Sequence, residues 1–136
     1  MRYRESASLA RPANAPMPYM LRPLTTLDDL TASLAHSWTQ PLFLFKHSET
    51  CGMSFQAREE VLAALAGPGW VTDVYLVSVQ GSRLVSSAIA ERLQVRHASP
   101  QLLLVANGEV RWQATHLSVT AEAMRRACTR HTQLER

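Results

Sequence analysis

The side chains best suited to chemistry gather in one stretch, Phe43 to Phe55, which reads Phe-Leu-Phe-Lys-His-Ser-Glu-Thr-Cys-Gly-Met-Ser-Phe. An apolar run ends in a polar turn, Cys51 follows, and a helix-compatible segment starts at once. A cysteine at a helix N-terminus meets unpaired N–H groups and the positive end of the helix dipole, and both favour a thiolate. Such a thiolate is a nucleophile of lowered pKa, suited to thiol–disulfide exchange. An isolated cysteine is more often a small buried hydrophobe. Here the polar turn before it and Gly52 after it leave the sulfur approachable, with Thr50 and Met53 also flanking it.

Ser54 stands where a dithiol oxidoreductase has its second cysteine. Its hydroxyl can hydrogen-bond the Cys51 thiolate or satisfy first-turn N–H groups, and capping preference gives a plain first-turn serine equal weight. It cannot resolve a mixed disulfide. An adduct on Cys51 must then be cleared by a thiolate from a second molecule. Lys46 is the only lysine, and His47 follows it. Either can place positive charge near the sulfur and lower its pKa. The plainer expectation for Lys46 is a strand-end side chain with a buried stem and its head in water; for His47 both readings stay open. Ser99-Pro100 precedes a strand, where proline fits only at the start. X–Pro bonds are mostly trans, so spacing alone gives trans. Cys128 shares a helix face with Met124 and reads as a buried structural thiol, with a resolving thiol as the alternative. His36, His97, His116 and His131 form no constellation and read as surface or packing residues. His47 and Cys51 have no further ligands at metal-site spacing, so no metal is expected.

These residues need elements to hold them. Residues 1–23, with Pro12, Pro16, Pro18 and Pro23, read as a disordered or loosely docked tail ahead of one domain, 24–136. Thr25 or Thr26 caps a helix that runs to about His36, with Asp28 and Asp29 in its first turn. Leu42 to Phe45 is a buried strand. A helix over Ser54 to Ala66 carries Phe55, Leu62 and Ala66 on an inward stripe beside Val61 and Leu65. Val74 to Val79 is the next strand, Gln80-Gly81-Ser82 a turn, and Val85, Ile89 and Leu93 mark a helix face. Leu102 to Val105 is a strand, and Asn107-Gly108 is a hairpin turn into Glu109 to Ala114. Thr120 caps a last helix to about Arg130. Trp38, Trp70 and Trp112 read as core or core-edge. The order is a helix, then β-α-β-α-β-β-α. It implies an α/β fold, a four-stranded mixed sheet between two helical layers with right-handed parallel crossovers.

The 136 residues, 46% hydrophobic and 18% charged, fit one globular domain. No apolar run is long enough to span a bilayer, and no signal-peptide core is seen, so a cytoplasmic protein is expected. The +3 charge and pI near 9.3 raise nucleic acid as a partner. Arg2, Arg4, Arg11 and Arg22 against Glu5 account for all of it, leaving the folded part neutral. No basic stripe remains to bind nucleic acid. Two cysteines are too few for a secreted disulfide framework.

The order of elements, the early cysteine, Ser-Pro before a Leu-Leu-Leu strand and an Asn-Gly-Glu hairpin resemble the thioredoxin fold. Within it, Phe-Lys-His-Ser-x-Thr-Cys-x-x-Ser resembles the monothiol bacilliredoxins (the YtxJ type). Tyr75-Leu76-Val77, His97-x-Ser99-Pro100-Gln101 and Trp112-x-Ala114-x-His116 fit that family as well, over roughly Leu24 to Met124. Gly52-Met53 replaces the usual Pro-Ile. The resemblance implies a cis Pro100, with the Ser99 backbone holding the substrate chain or thiol ligand. It implies that Cys51 takes a low-molecular-weight thiol, bacillithiol, from S-thiolated client proteins, with another thiol or a disulfide reductase regenerating it. Bacillithiol is then a co-substrate, and no tightly bound cofactor is expected. Two alternatives stand beside it. Cys51-Gly52-Met53-Ser54 is one residue from the Cys-Gly-Phe-Ser of monothiol glutaredoxins, which bind iron–sulfur clusters, although their Gly-Gly pair after the hairpin is missing. The other is a non-catalytic thioredoxin-fold adaptor.

Overall fold

The computed structural model describes residues 20–134. Most of the tail expected over 1–23 lies outside the described residues. Helix α1 (Leu27–His36) starts at Thr26, whose hydroxyl accepts from the Asp29 N–H at 3.0 Å. Strand β2 (Leu42–His47) follows, buried along its whole length. Helix α2 (Gly52–Ala66), strand β3 (Asp73–Ser78) and helix α3 (Arg83–Leu93) come next. Strands β4 (Gln101–Ala106) and β5 (Glu109–Thr115) form the hairpin, and helix α4 (Ala121–Leu134) closes the chain after a short 3₁₀ turn at His116–Ser118. Asn107 and Gly108 both take positive φ, 52° and 74°, as a two-residue hairpin with the strands' own twist requires.

The sheet has five strands, not four: with β1 (Leu21–Pro23) the order is β1-β3-β2-β4-β5. The additional strand lies parallel to β3 and pairs Leu21 with Val74 and Pro23 with Leu76. It therefore takes the last residues of the expected tail into the fold. Proline is tolerated because strand nitrogens alternate sides. The Leu24 N–H reaches Leu76 O at 2.9 Å, which turns the Pro23 nitrogen away from the sheet. Strand β2 is central, parallel to β3 and antiparallel to β4.

Side-chain alternation along β2 divides the core. Phe43 and Phe45 pack beneath α2 and α4 with Val61, Leu65 and Met124. Leu42 and Leu44 pack beneath α1 and α3 with Leu30, Val85 and Ile89. Burying one large apolar side chain of this kind contributes roughly 1.5–3 kcal/mol, so either layer outweighs any single polar contact in the sheet. Trp70 stacks on Phe43 with ring centroids 5.6 Å apart, and Trp112 meets the same ring edge-on at 6.2 Å. Trp38 departs from expectation. It is 68% exposed and lies over the hairpin at Gly108.

The buried face of α2 is also rotated from the expected stripe. Ser54, Ala57, Val61, Ala64 and Leu65 face the sheet, whereas Phe55 is 58% exposed and Ala66 is exposed. The small residues let the helix lie close to β2, and no room remains there for a phenyl ring. Phe55 instead sits edge-on against His47 at 6.3 Å.

Candidate active site

Strands β2 and β3 end side by side, and the loop from β2 to α2 carries Cys51. Ligand sites of open α/β sheets lie at such carboxyl ends. Cys51 is the N-cap residue of α2, with extended backbone at φ −113° and ψ 122° and a partly exposed side chain. Its thiol is held below the ordinary cysteine range. The Ser54 backbone N–H contributes most, partial burial opposes it, and the Met53 N–H and Ser54 hydroxyl add to the lowering. These N–H groups belong to the first turn of α2, and that of Ser54 also donates to the Cys51 carbonyl at 3.0 Å.

Ser54 is fully buried, and its hydroxyl accepts from the Ser48 N–H at 3.1 Å. It therefore fixes the loop in addition to facing the sulfur. Residues 48–50 are pinned from outside as well. The Gln80 amide donates to Ser48 Oγ at 2.7 Å and to Thr50 Oγ1 at 3.1 Å, while its oxygen accepts from the Glu49 N–H at 3.2 Å. The Glu49 carboxylate takes the Ser78 hydroxyl at 2.7 and 2.9 Å. No motif in the sequence marks Gln80, Glu49 or Ser78 as site residues. The signal available was positional: residues just past two adjacent parallel strands meet. Gly52 and Met53 are exposed beside the sulfur.

Residues 22–124 match the family described as "Monothiol bacilliredoxin BrxC". The chain belongs to the monothiol bacilliredoxin family. Among solved structures, a candidate oxidoreductase with a thioredoxin fold is similar at 29% identity and a TM-score of 0.71, covering 79% of this chain and 92% of that one. Fasciola hepatica thioredoxin is similar at 18% identity and a TM-score of 0.64, over 82% and 99% of the two chains. A single-site variant of Halobacterium salinarum thioredoxin gives 17% and 0.67, over 87% and 96%. The fold is that of thioredoxin, and thiol redox chemistry is the coarse function that family membership carries.

In this bacilliredoxin the Ser99–Pro100 peptide is cis. Gln101 pairs with Lys46 across β4 and β2, so Pro100 lies at the same end of the sheet as the Cys51 loop. The Ser99 hydroxyl is buried without a partner, and Pro100 O accepts from the His116 N–H at 3.1 Å. Lys46 contradicts the expectation of a head in water. Its side chain is fully buried, and Nζ donates to Ser86 O at 3.3 Å. Strand β2 is central and covered on both faces, so no path leads the ammonium to solvent. Burial lowers its pKa from 10.5 to about 8. His47 points to the opposite face, 6% exposed, with Nε2 unpartnered; burial lowers its pKa first, Glu49 raises it and Arg58 lowers it. Neither side chain figures among the causes that lower the Cys51 pKa. The thiolate is stabilised by helix N–H groups instead of neighbouring cations.

Cys128, like Cys51, forms no disulfide. It is partly buried on α4, with Sγ 3.0 Å from Thr72 Oγ1, which fits a structural role. Among the described residues no group of three or more His, Cys, Asp or Glu is placed to hold a metal ion. No helix among them is long and apolar enough to cross a membrane.

Proposed function

We propose that Cys51 removes a low-molecular-weight thiol, bacillithiol, from protein mixed disulfides. The Cys51 thiolate attacks the small thiol's sulfur in the mixed disulfide. That S–S bond breaks, the client leaves as its thiolate, and a new disulfide joins Cys51 to the small thiol. A second small thiol, as thiolate, then attacks this adduct and restores Cys51, releasing a low-molecular-weight disulfide for a disulfide reductase. The observation that carries this reading is the pairing of Cys51 at the start of α2 with a buried Ser54 that has no thiol to offer. Exchange is possible, but internal resolution is not. The Ser99 backbone beside Pro100 would align the client chain, and the client proteins would be S-thiolated proteins of the cytoplasm, where thiols are kept reduced.

The test is a purified client carrying one bacillithiol, followed by intact mass. The native protein should release the client thiol and gain one bacillithiol mass, and Cys51→Ser should do neither. Equal release by the two proteins would overturn the reading. A glutathione or cysteine increment on Cys51 after diamide treatment of the native cytosol would replace bacillithiol as the partner.

A further inference from the structure

Phe55, 58% exposed, stands in water one helical turn from the sulfur. Its N–H reaches the Cys51 carbonyl at 3.3 Å, so the two residues stack along one side of the helix start. Gln56 and Glu59, next to it on the outer face of α2, are polar and exposed, as a solvent-facing turn requires. A phenyl ring among them gains little from the fold. It is nevertheless held in place. Phe55 meets His47 edge-on at 6.3 Å, and His47 meets Phe45 of the core edge-on at 5.9 Å. Both of those inner rings are buried. The ladder ties one side of Phe55 to the core and leaves the other side open. A ring fixed beforehand takes an apolar partner with little further loss of freedom.

The reaction at Cys51 decides what covers that open side. During exchange three sulfurs lie in line, a disulfide bond being about 2 Å long, so the client backbone passes within a residue or two of Cys51. Phe55 is a single turn away, about 5 Å along the helix. Gly52 leaves the approach clear, since a methyl group there would meet nothing within 4 Å. Exposed Met53, about 200° around the helix from Phe55, gives the other flank the same apolar character. A small hydrophilic thiol gains nothing from a phenyl ring, whereas a side chain beside the client cysteine can bury against it. Resting on the exchange reading for the bond that is broken, we infer that Phe55 selects among clients, by receiving an apolar side chain adjacent to the S-thiolated cysteine.

Two experiments separate selection from exchange. In the first, two short peptides each carry one bacillithiolated cysteine, flanked on both sides by leucine in one and by serine in the other. The native protein should release the leucine peptide with a kcat/KM about five- to tenfold higher, the gain from burying roughly half a phenylalanine side chain. Phe55→Ser should bring that ratio close to one, and Phe55→Tyr should keep most of it. Val71→Ser, an exposed site just before β3 and at the opposite end of the sheet from Cys51, should leave the ratio as it is. A purely structural role for Phe55 would slow both peptides alike, so a ratio that Phe55→Ser does not move would overturn the inference. In the second, Cys51→Ser protein is titrated with the same two peptides, their cysteine replaced by serine, while the Phe55 ring resonances are followed. Saturable shifts with the leucine peptide alone support the docking role even where the native protein leaves the adduct in place, in which case the exchange reading alone fails. Shifts of equal size from S-methylglutathione would overturn the assignment to a polypeptide.

Discussion

Replacing Lys46 by methionine should stabilise the protein, although the side chain is completely buried and hydrogen-bonded. Folding takes the ammonium from water to the interior of β2, and its pKa falls from 10.5 to about 8. Each pKa unit is worth about 1.4 kcal/mol, so roughly 3 kcal/mol of preference for the charged form is lost on folding. The sign follows from proton counting. Between pH 8 and 10.5 the unfolded chain holds the proton more firmly than the folded one, so stability rises with pH through that window. Below pH 8 both states are charged and the whole penalty is present. Methionine fills similar space with no charge, and Ser86 O keeps its bond from the helix N–H four residues on. Urea melts of reduced native protein and Lys46→Met, at pH steps from 7 to 10.5, would read the effect. The variant should be more stable at pH 7, and its advantage should shrink by about 3 kcal/mol toward pH 10.5. Cys51, Tyr75 and other groups titrate in both proteins and cancel in the difference. An advantage that does not change with pH, or a variant less stable at pH 7, would show that the ammonium is compensated where it sits.

The alkylation rate of Cys51 should rise through a midpoint below the ordinary thiol pKa, because helix N–H groups favour the thiolate. Stopped-flow iodoacetamide labelling against pH reads this, and an unshifted midpoint would favour an adaptor role. Ser54→Ala removes the acceptor of the buried Ser48 N–H and should cost about 1–3 kcal/mol while raising the Cys51 midpoint; denaturant melts and the same labelling report both. Gly108→Ala places a methyl group 3.2 Å from the Trp38 indole nitrogen at φ 74°, and should cost about 1–2 kcal/mol by thermal unfolding.

Local chemistry made part of the fold legible in the sequence. Thr26 with two aspartates, and Asn107-Gly108 between apolar runs, each have one favourable structure, and both take it. Cys51 was legible because a helix start is a local event. What was not legible depends on partners distant in sequence. A lysine at the end of an apolar run resembles a snorkelling side chain until β3, β4 and α3 enclose it. The α2 stripe is not legible, because helical period alone does not reveal that Ser54 and Ala57 must be small against the sheet. Gln80 joins the site across 30 residues, through hydrogen bonds to a loop that no motif links to it. Strand β1 has three residues and ends in proline, too short for alternation to register.

That short strand has a consequence for handling the protein. Without it, β3 would be an outer strand with a row of free backbone donors and acceptors along an apolar segment, a template on which other chains can add. Leu21–Pro23 occupies that row, and itself presents a poor template, being brief, carrying Arg22 and ending in a residue with no N–H. A fragment begun at Leu24, where the sequence pattern suggests the domain starts, would keep Cys51 and its loop intact yet lose this guard. Such a fragment should self-associate as its concentration rises, and light scattering would separate that defect from any loss of thiol chemistry.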